Sequence, residues 1–183
     1  RVAIRRLRHF ARTGTPDEFD LDNTINSTAN NGGYLDVKMR PERKNRIKLL
    51  LFLDVGGSMD PYIEACEELF SAARTEFKEL EHFYFHNCLY ETVWNNNPRS
   101  SEDIIPTWDI LRKYGSDYRV LFVGDAAMSP YEVAYPGGSI EHWNEESGAT
   151  WLERLTSHFD SIAWLNPESK SIWNSSASNK MIR

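Results

Sequence analysis

The hydrophobic pattern changes period several times along the chain, and each change marks an element. IKLLLFLD at 47–54 is an apolar run closed by an aspartate, the pattern of a strand buried on both faces of a parallel sheet. After it, Ile63, Cys66, Phe70, Ala73, Phe77 and Leu80 recur at helical spacing and predict the buried stripe of an amphipathic helix. HFYFHN and ETVWN predict two strands joined by a short turn. IPTWDILRKYG predicts a helix ending at Gly115, and YRVLFVGD a second buried strand. ESGATWLERLTSHF reads as a helix leading into the strand SIAWLNP. This succession is that of an α/β fold, a doubly wound, mostly parallel open sheet with helices on both faces.

The flanks are less regular. RVAIRRLRHFAR predicts a short basic helix, and FDLDNTINSTANNGGY a second one, opened by Asp20 and closed by Asn31, Gly32 and Gly33. YLDVKM alternates like a half-exposed strand, and PERKNR has turn and charge character. NSSASNKMIR at the end is helix-like and reaches no final strand, so the sheet is expected to lack its last element. The chain is thereby divided into a basic, helical extension over 1–45 and an α/β domain over 46–183.

Composition narrows the function. The 183 residues carry a net charge of -6, against the basic face of a general nucleic-acid binder. The first fifty residues carry roughly +5, clustered at Arg5, Arg6 and Arg8 and again over 40–48, which leaves the remainder strongly acidic. A solvated basic arm is the plainer reading, ahead of a site for phosphate or anionic lipid. Cys66 and Cys88 lack CxxC spacing or a third metal partner and are expected to be reduced core residues. No apolar run is long enough to span a bilayer and no signal peptide opens the chain, so a soluble, cytoplasmic protein is expected. Arg1 in place of a methionine suggests a piece of something longer.

In open α/β sheets, ligands bind beyond the carboxyl ends of the strands, where the strand order reverses and two loops diverge. Asp54 ends one buried strand, and Asp125, in LFVGDAAMS, ends another. If those strands are neighbours at the switch point, two carboxylates converge on one crevice. Keeping both ionised there is costly without a cation. Carboxylates and hydroxyls are the ligands that Mg²⁺, Mn²⁺ and Ca²⁺ prefer. Ser58 supplies one hydroxyl, with Gly56 and Gly57 permitting a tight turn back toward Asp54. Thr107, after Pro106, is expected to present a second, exposed hydroxyl at a helix start. A purely structural role for both, capping their helices, stands beside the ligand role.

DVGGSM at 54–59, between an apolar strand and an amphipathic helix, resembles the DxSxS motif of von Willebrand factor A (VWA) domains, which carries their metal-ion-dependent adhesion site. Thr107 and Asp125 match that motif's threonine and second aspartate in order and setting. More narrowly, NGGYLDVKMRPERKNRIKLLLFLDVGGSMDP, FVGDAAMSPYE and GGSIEHWNEESGATWLERL resemble the bacterial CoxE-like group of these domains over nearly the whole chain. The resemblance implies a Rossmann-like VWA fold and a non-enzymatic protein-binding module. It implies Mg²⁺, or Mn²⁺ or Ca²⁺, held by Asp54, Ser58, Thr107 and Asp125, the hydroxyls directly and the aspartates largely through water. A partner's carboxylate would complete the coordination sphere. It also implies association with a MoxR-type AAA+ ATPase, or with a client protein whose assembly that ATPase assists. Gly56 stands where the motif has its first serine, so a water is expected in place of one hydroxyl, with weaker or more selective metal binding.

Two rival readings use the same residues. FLDVGGS and FVGD also resemble the nucleophile and metal segments of haloacid-dehalogenase-type phosphatases, with Asp54 attacking phosphorus and Lys113 steadying it. Gly56 would then replace the general acid, which cripples turnover. Alternatively Asp54 and Asp125 only tie loops to backbone amides in a metal-free scaffold. The loop YPGGSIEHWNEESG carries His142, Glu145 and Glu146 without a zinc-ligand pattern and is read as a partner surface with Trp143 as an anchor. His82 and His86 flank an aromatic strand and are expected to pack. No GxSxG elbow or GxxxxGK[ST] loop is present, which removes support for acyl transfer and nucleotide hydrolysis.

Overall fold

The structure is a computed structural model and describes residues 10–45, 47–173 and 176–182. The chain forms two compact units that divide after Arg46.

In the first unit, β1 (Phe10–Phe19) and β2 (Met39–Asn45) pair antiparallel on either side of α1 (Leu21–Asn30), with Phe10 opposite Asn45 and Phe19 opposite Met39. The helix forms where its caps predict it. Asp20 accepts from the Asn23 amide at 3.2 Å, and Gly32 and Gly33 leave the helix at positive φ. The rest of this unit departs from the sequence reading. Of the basic helix expected over RVAIRRLRHFAR, residues 1–9 lie outside the described residues and 10–12 begin β1. The strand expected over YLDVKM starts only at its last residue and runs on through PERKN. The amides of Asp36 and Lys38 bond instead to the hydroxyls of Thr28 and Thr24 on α1, at 3.1 and 2.9 Å, so this stretch has no strand partner. Pro41 enters β2 opposite Pro16 beside a register shift, which a ribbon made only of edges tolerates.

The second unit contains β3 (Lys48–Asp54), α2 (Ile63–Glu76), β4 (Glu79–Phe85), β5 (Thr92–Trp94), β6 (Ile104–Pro106), α3 (Thr107–Lys113), β7 (Arg119–Val123), α4 (Pro130–Ala134), α5 (Gly148–His158), β8 (Ser161–Leu165), α6 (Lys170–Trp173) and α7 (Ala177–Ile182). The sheet order is β6-β5-β4-β3-β7-β8; β4, β3, β7 and β8 are parallel, and β5 runs antiparallel to β4 and β6. Alternation sorts the two faces. Phe52 stacks on Phe122 at 4.9 Å and tilts against Phe83 at 5.4 Å, in a core completed by Ile110, Leu111 and Tyr114 near α3 and by Trp151 and Leu155 of α5. On the opposite face, Phe70 of α2 meets His82 edge-on at 4.7 Å. The fold is therefore the expected α/β, Rossmann-like one. Three small elements of this unit escaped the pattern: β6 and α6, too short for a period, and α4, hidden between the polar residues that follow β7.

The sheet order places the crevice. The chain leaves β3 through α2 to reach β4 on one side and returns to β7 on the other, so the order reverses at β3. The carboxyl ends of β3 and β7 open there, side by side, with Leu53 opposite Val123.

Candidate functional site

Asp54 is the last residue of β3 and is 6% exposed. Its Oδ1 accepts two backbone amides, from Gly56 at 2.9 Å and from Asn87 at 3.0 Å. The Gly56 bond is an Asx turn that folds the chain back at once. Its Oδ2 is buried and has no hydrogen-bond partner among the described residues. Gly124 lies against it: a Cβ there would come within 2.9 Å of Oδ2, so only glycine lets β7 pass the carboxylate this closely. Burial pushes the Asp54 carboxyl up to about 6, the two amides pull it back, and the charges of Asp125 and Glu132 push it up again. A cleft of about 240 Å³ runs beside Asp54 and Gly56 toward Met59, Cys66 and Phe70.

Asp125, 4% exposed, follows β7 by two residues, and its Oδ1 accepts the Ala127 amide at 2.8 Å. The backbone around it is held from the end of the chain. Asn166, just past β8, donates to the Asp125 carbonyl at 2.6 Å, and Ser178 of α7 donates to the Ala126 carbonyl at 2.6 Å. Ala126 is held at φ 54, a left-handed conformation that an alanine keeps only when its surroundings impose it. The helix-like C-terminal segment thus clamps the Asp125 loop.

Ser58 lies exposed in a 3₁₀ turn, Gly57–Tyr62, which Tyr62 ties to Glu168 past β8 at 2.7 Å. Gly56, not Ser58, occupies the capping position of that turn. Thr107 opens α3 but is 0% exposed, which corrects the expectation of an exposed hydroxyl. It donates to the Tyr90 carbonyl at 2.6 Å, because β5 and β6 fold this helix start against the loop over 86–91. With its proton given to Tyr90, the Thr107 oxygen has only lone pairs left to offer. The same loop touches Asp54 through the Asn87 amide, yet among the described residues no hydrogen bond joins Thr107 to Asp54, Ser58 or Asp125. The fold therefore places Asp54 at the end of β3 and Asp125 just past the end of the adjacent β7, and among the described residues neither hydroxyl is hydrogen-bonded to them.

Two residues at the site carried no assignment from the sequence. Asn87, at φ 57, donates its side-chain amide to Glu132 Oε1 at 3.0 Å. Glu132 is buried, accepts the Ser129 amide on Oε2 at 2.8 Å and receives the Tyr90 hydroxyl on its carbonyl at 2.9 Å. SPYE at 129–132 is a capping box with proline at the first helical position, a legible signal for this buried acid. Asn87 had none.

The loop over 135–148 is pinned by buried Asn144, whose side chain bonds the carbonyls of Tyr135 and Glu146 at 3.3 and 2.8 Å. His142 packs edge-on to Tyr90 at 5.5 Å, and Glu146 pairs with Arg154. Trp143 is 76% exposed. No group of three or more His, Cys, Asp or Glu side chains able to hold a metal occurs among the described residues. Lys113 sits over the Tyr114 ring at 4.8 Å; Tyr114 meets Tyr118 edge-on at 5.0 Å, and Tyr118 lies beneath Lys48 at the far end of β3 from Asp54.

A family model described as VWA domain containing CoxE-like protein matches residues 1–100. The chain belongs to this family. As a VWA domain it is a protein-interaction module of Rossmann-like fold. The match takes in Asp54, Gly56 and Ser58 of this CoxE-like protein and ends before Thr107 and Asp125. No curated protein and no solved structure matches the chain. Among the described residues, no helix is long and apolar enough to cross a membrane.

Proposed function

We propose that this VWA domain is a non-enzymatic, divalent-cation-dependent docking module, and that its partner is a MoxR-type AAA+ ATPase or a client protein presenting a carboxylate. The observation that carries the reading is the Oδ2 atom of Asp54, buried at the switch point with no hydrogen-bond partner among the described residues, on the strand next to the one that leads to Asp125. A carboxylate oxygen in that position lacks a positive counterpart, and a hard cation supplies one. The donor set fits Mg²⁺, with Mn²⁺ and Ca²⁺ as alternatives: Asp54 and Asp125 would hold the ion from the strand ends, Ser58 from the exposed turn, and Thr107 through lone pairs left free by its bond to Tyr90. When bound, the ion offers an open position to a partner's carboxylate. The protein's own part is to keep Asp54 dry, to pin Asp125 through Asn166 and α7, and to leave Ser58 accessible.

One observation favours a metal-free scaffold: Asp54 Oδ1 and Asp125 Oδ1 each accept nearby backbone amides, as loop ties do. That role accounts for one oxygen of Asp54 and leaves the other unexplained. The phosphatase reading loses its lysine, since Lys113 packs toward the opposite end of β3.

Affinity capture with wild type and Asp54→Ala, each with and without Mg²⁺, tests the proposal. A partner retained only by wild type in the presence of Mg²⁺ supports it. Capture that ignores both metal and mutation, together with a melting temperature unmoved by millimolar Mg²⁺, favours the scaffold.

A further inference from the structure

The chain departs from the DxSxS pattern at Gly56, and the space that a side chain at 56 would occupy is not empty. A Cβ built there falls inside the 3.0 Å that real Cβ atoms keep from their neighbours, and the atom it meets is Oδ1 of Asn87. The next nearest is Oδ1 of Asp54, at 3.3 Å. Glycine and asparagine are therefore complementary: one has no side chain because the other fills its place.

The orientation of that amide is held by its partner. Asn87 Nδ2 donates to Glu132 Oε1 at 3.0 Å, and Glu132 is fixed in turn by its capping bond to Ser129. The nitrogen thus faces Glu132 and the oxygen faces Gly56 and Asp54. Among the described residues, no donor bonds Asn87 Oδ1. The Asn87 amide meanwhile donates to Asp54 Oδ1, so the same residue that sets an oxygen beside Gly56 also positions the aspartate. Asparagine tolerates the left-handed φ of 57 that brings backbone and side chain to bear together.

We propose that Asn87 replaces the missing serine, its side-chain oxygen taking the coordination position that a hydroxyl at 56 would fill. This rests on the cation-dependent reading above. An amide carbonyl is a neutral oxygen donor of the kind Mg²⁺ and Ca²⁺ accept, so the exchange keeps both the charge of the site and its class of metal. Water is not needed in that position. Glu132 acts as a positioning residue that aims Asn87.

The test is Mn²⁺ titration by calorimetry, with the metal-induced rise in melting temperature as a second readout, on the whole chain as wild type, Asn87→Gly, Gly56→Ser, the double variant and Asp54→Ala. Glycine at 87 removes the side chain while keeping the left-handed backbone. The expected result is Mn²⁺ affinity lowered about tenfold or more in Asn87→Gly, lowered again in Gly56→Ser where the two side chains collide, and restored to within about threefold of wild type in the double variant. If wild type binds and Asn87→Gly binds equally well, water fills the position and this proposal falls while the cation-dependent reading stands. If Gly56→Ser alone binds more tightly with an unchanged melting temperature, the complementarity is absent and the proposal falls. If wild type and Asp54→Ala both fail to bind, the cation-dependent reading fails and takes this proposal with it.

Discussion

β3 carries a charge at each end, and the two ends are built on opposite terms. At its start, Lys48 is partly exposed, meets Asp117 at 3.0 Å and Glu79 at 4.0 Å, and lies 5.3 Å from the centre of the Tyr118 ring. The Asp117 carboxylate beside it raises its pKa, as a satisfied pair should. At its end, Asp54 is buried, has amides on one oxygen and no hydrogen-bond partner among the described residues on the other, and shares its surroundings with two more acids, Asp125 and Glu132. One end spends its charge on neighbours; the other holds an unmet demand for positive charge. The fold tolerates the second arrangement at its switch point, where function in open α/β sheets resides.

The largest effect is expected from removing that demand. Burial raises the Asp54 carboxyl from 3.8 to about 6, so the folded chain holds this proton more tightly than the unfolded one. The stabilisation is complete below about pH 4 and is lost as the pH rises through about 6. Asp54→Asn keeps an acceptor for the two amides and carries no charge. In metal-free buffer at pH 8 it is expected to gain up to about 3 kcal/mol over wild type by urea denaturation, with the gain vanishing near pH 4. Equal stability at both pH values would erase the contrast between the ends of β3.

Next in size is Thr107→Val, which leaves the Tyr90 carbonyl without its donor inside a fully buried site. A loss of about 1–3 kcal/mol is expected with or without Mg²⁺, and Thr107→Ser should retain most of the stability. A cost seen only with Mg²⁺ would move Thr107 from the scaffold to the cation. Lys48→Met tests the satisfied end, where partly exposed pairs are worth little: a loss of stability smaller than that of Thr107→Val is expected by urea denaturation, shrinking further in high salt. The smallest effect is chemical. Burial pushes the Cys88 thiol up to about 12, while Cys66 is only half-buried. Alkylation of the folded protein is expected to modify Cys66 first and Cys88 only in denaturant; equal rates by mass spectrometry would mean that the packing behind the Asp54 loop opens readily.

Much of the second unit was legible because β3 and β7 are buried on both faces and the long helices on one, so apolar period tracks structure directly. The first unit shows where that fails. Leu35, Val37 and Met39 alternate as a strand should, yet all three are exposed, and the amides of Asp36 and Lys38 found threonine hydroxyls on α1 instead of a partner strand. In β2, charged residues and a proline adopt extended structure because β1 pairs with them, an influence from a strand on the far side of α1.

At the site, the local sequence by itself determined the chemistry. An aspartate closing an apolar strand, glycines for the turn and a hydroxyl beyond them are properties of one short segment, and backbone sterics decide them. Tertiary structure decided the company those residues keep. It set β7 beside β3, joined Glu132 to Asn87, brought the C-terminal helix over the Asp125 loop, buried the Thr107 hydroxyl and put the Asn87 side chain beside Gly56. These pairings follow from sheet order and from the packing of distant loops, and no local period encodes them.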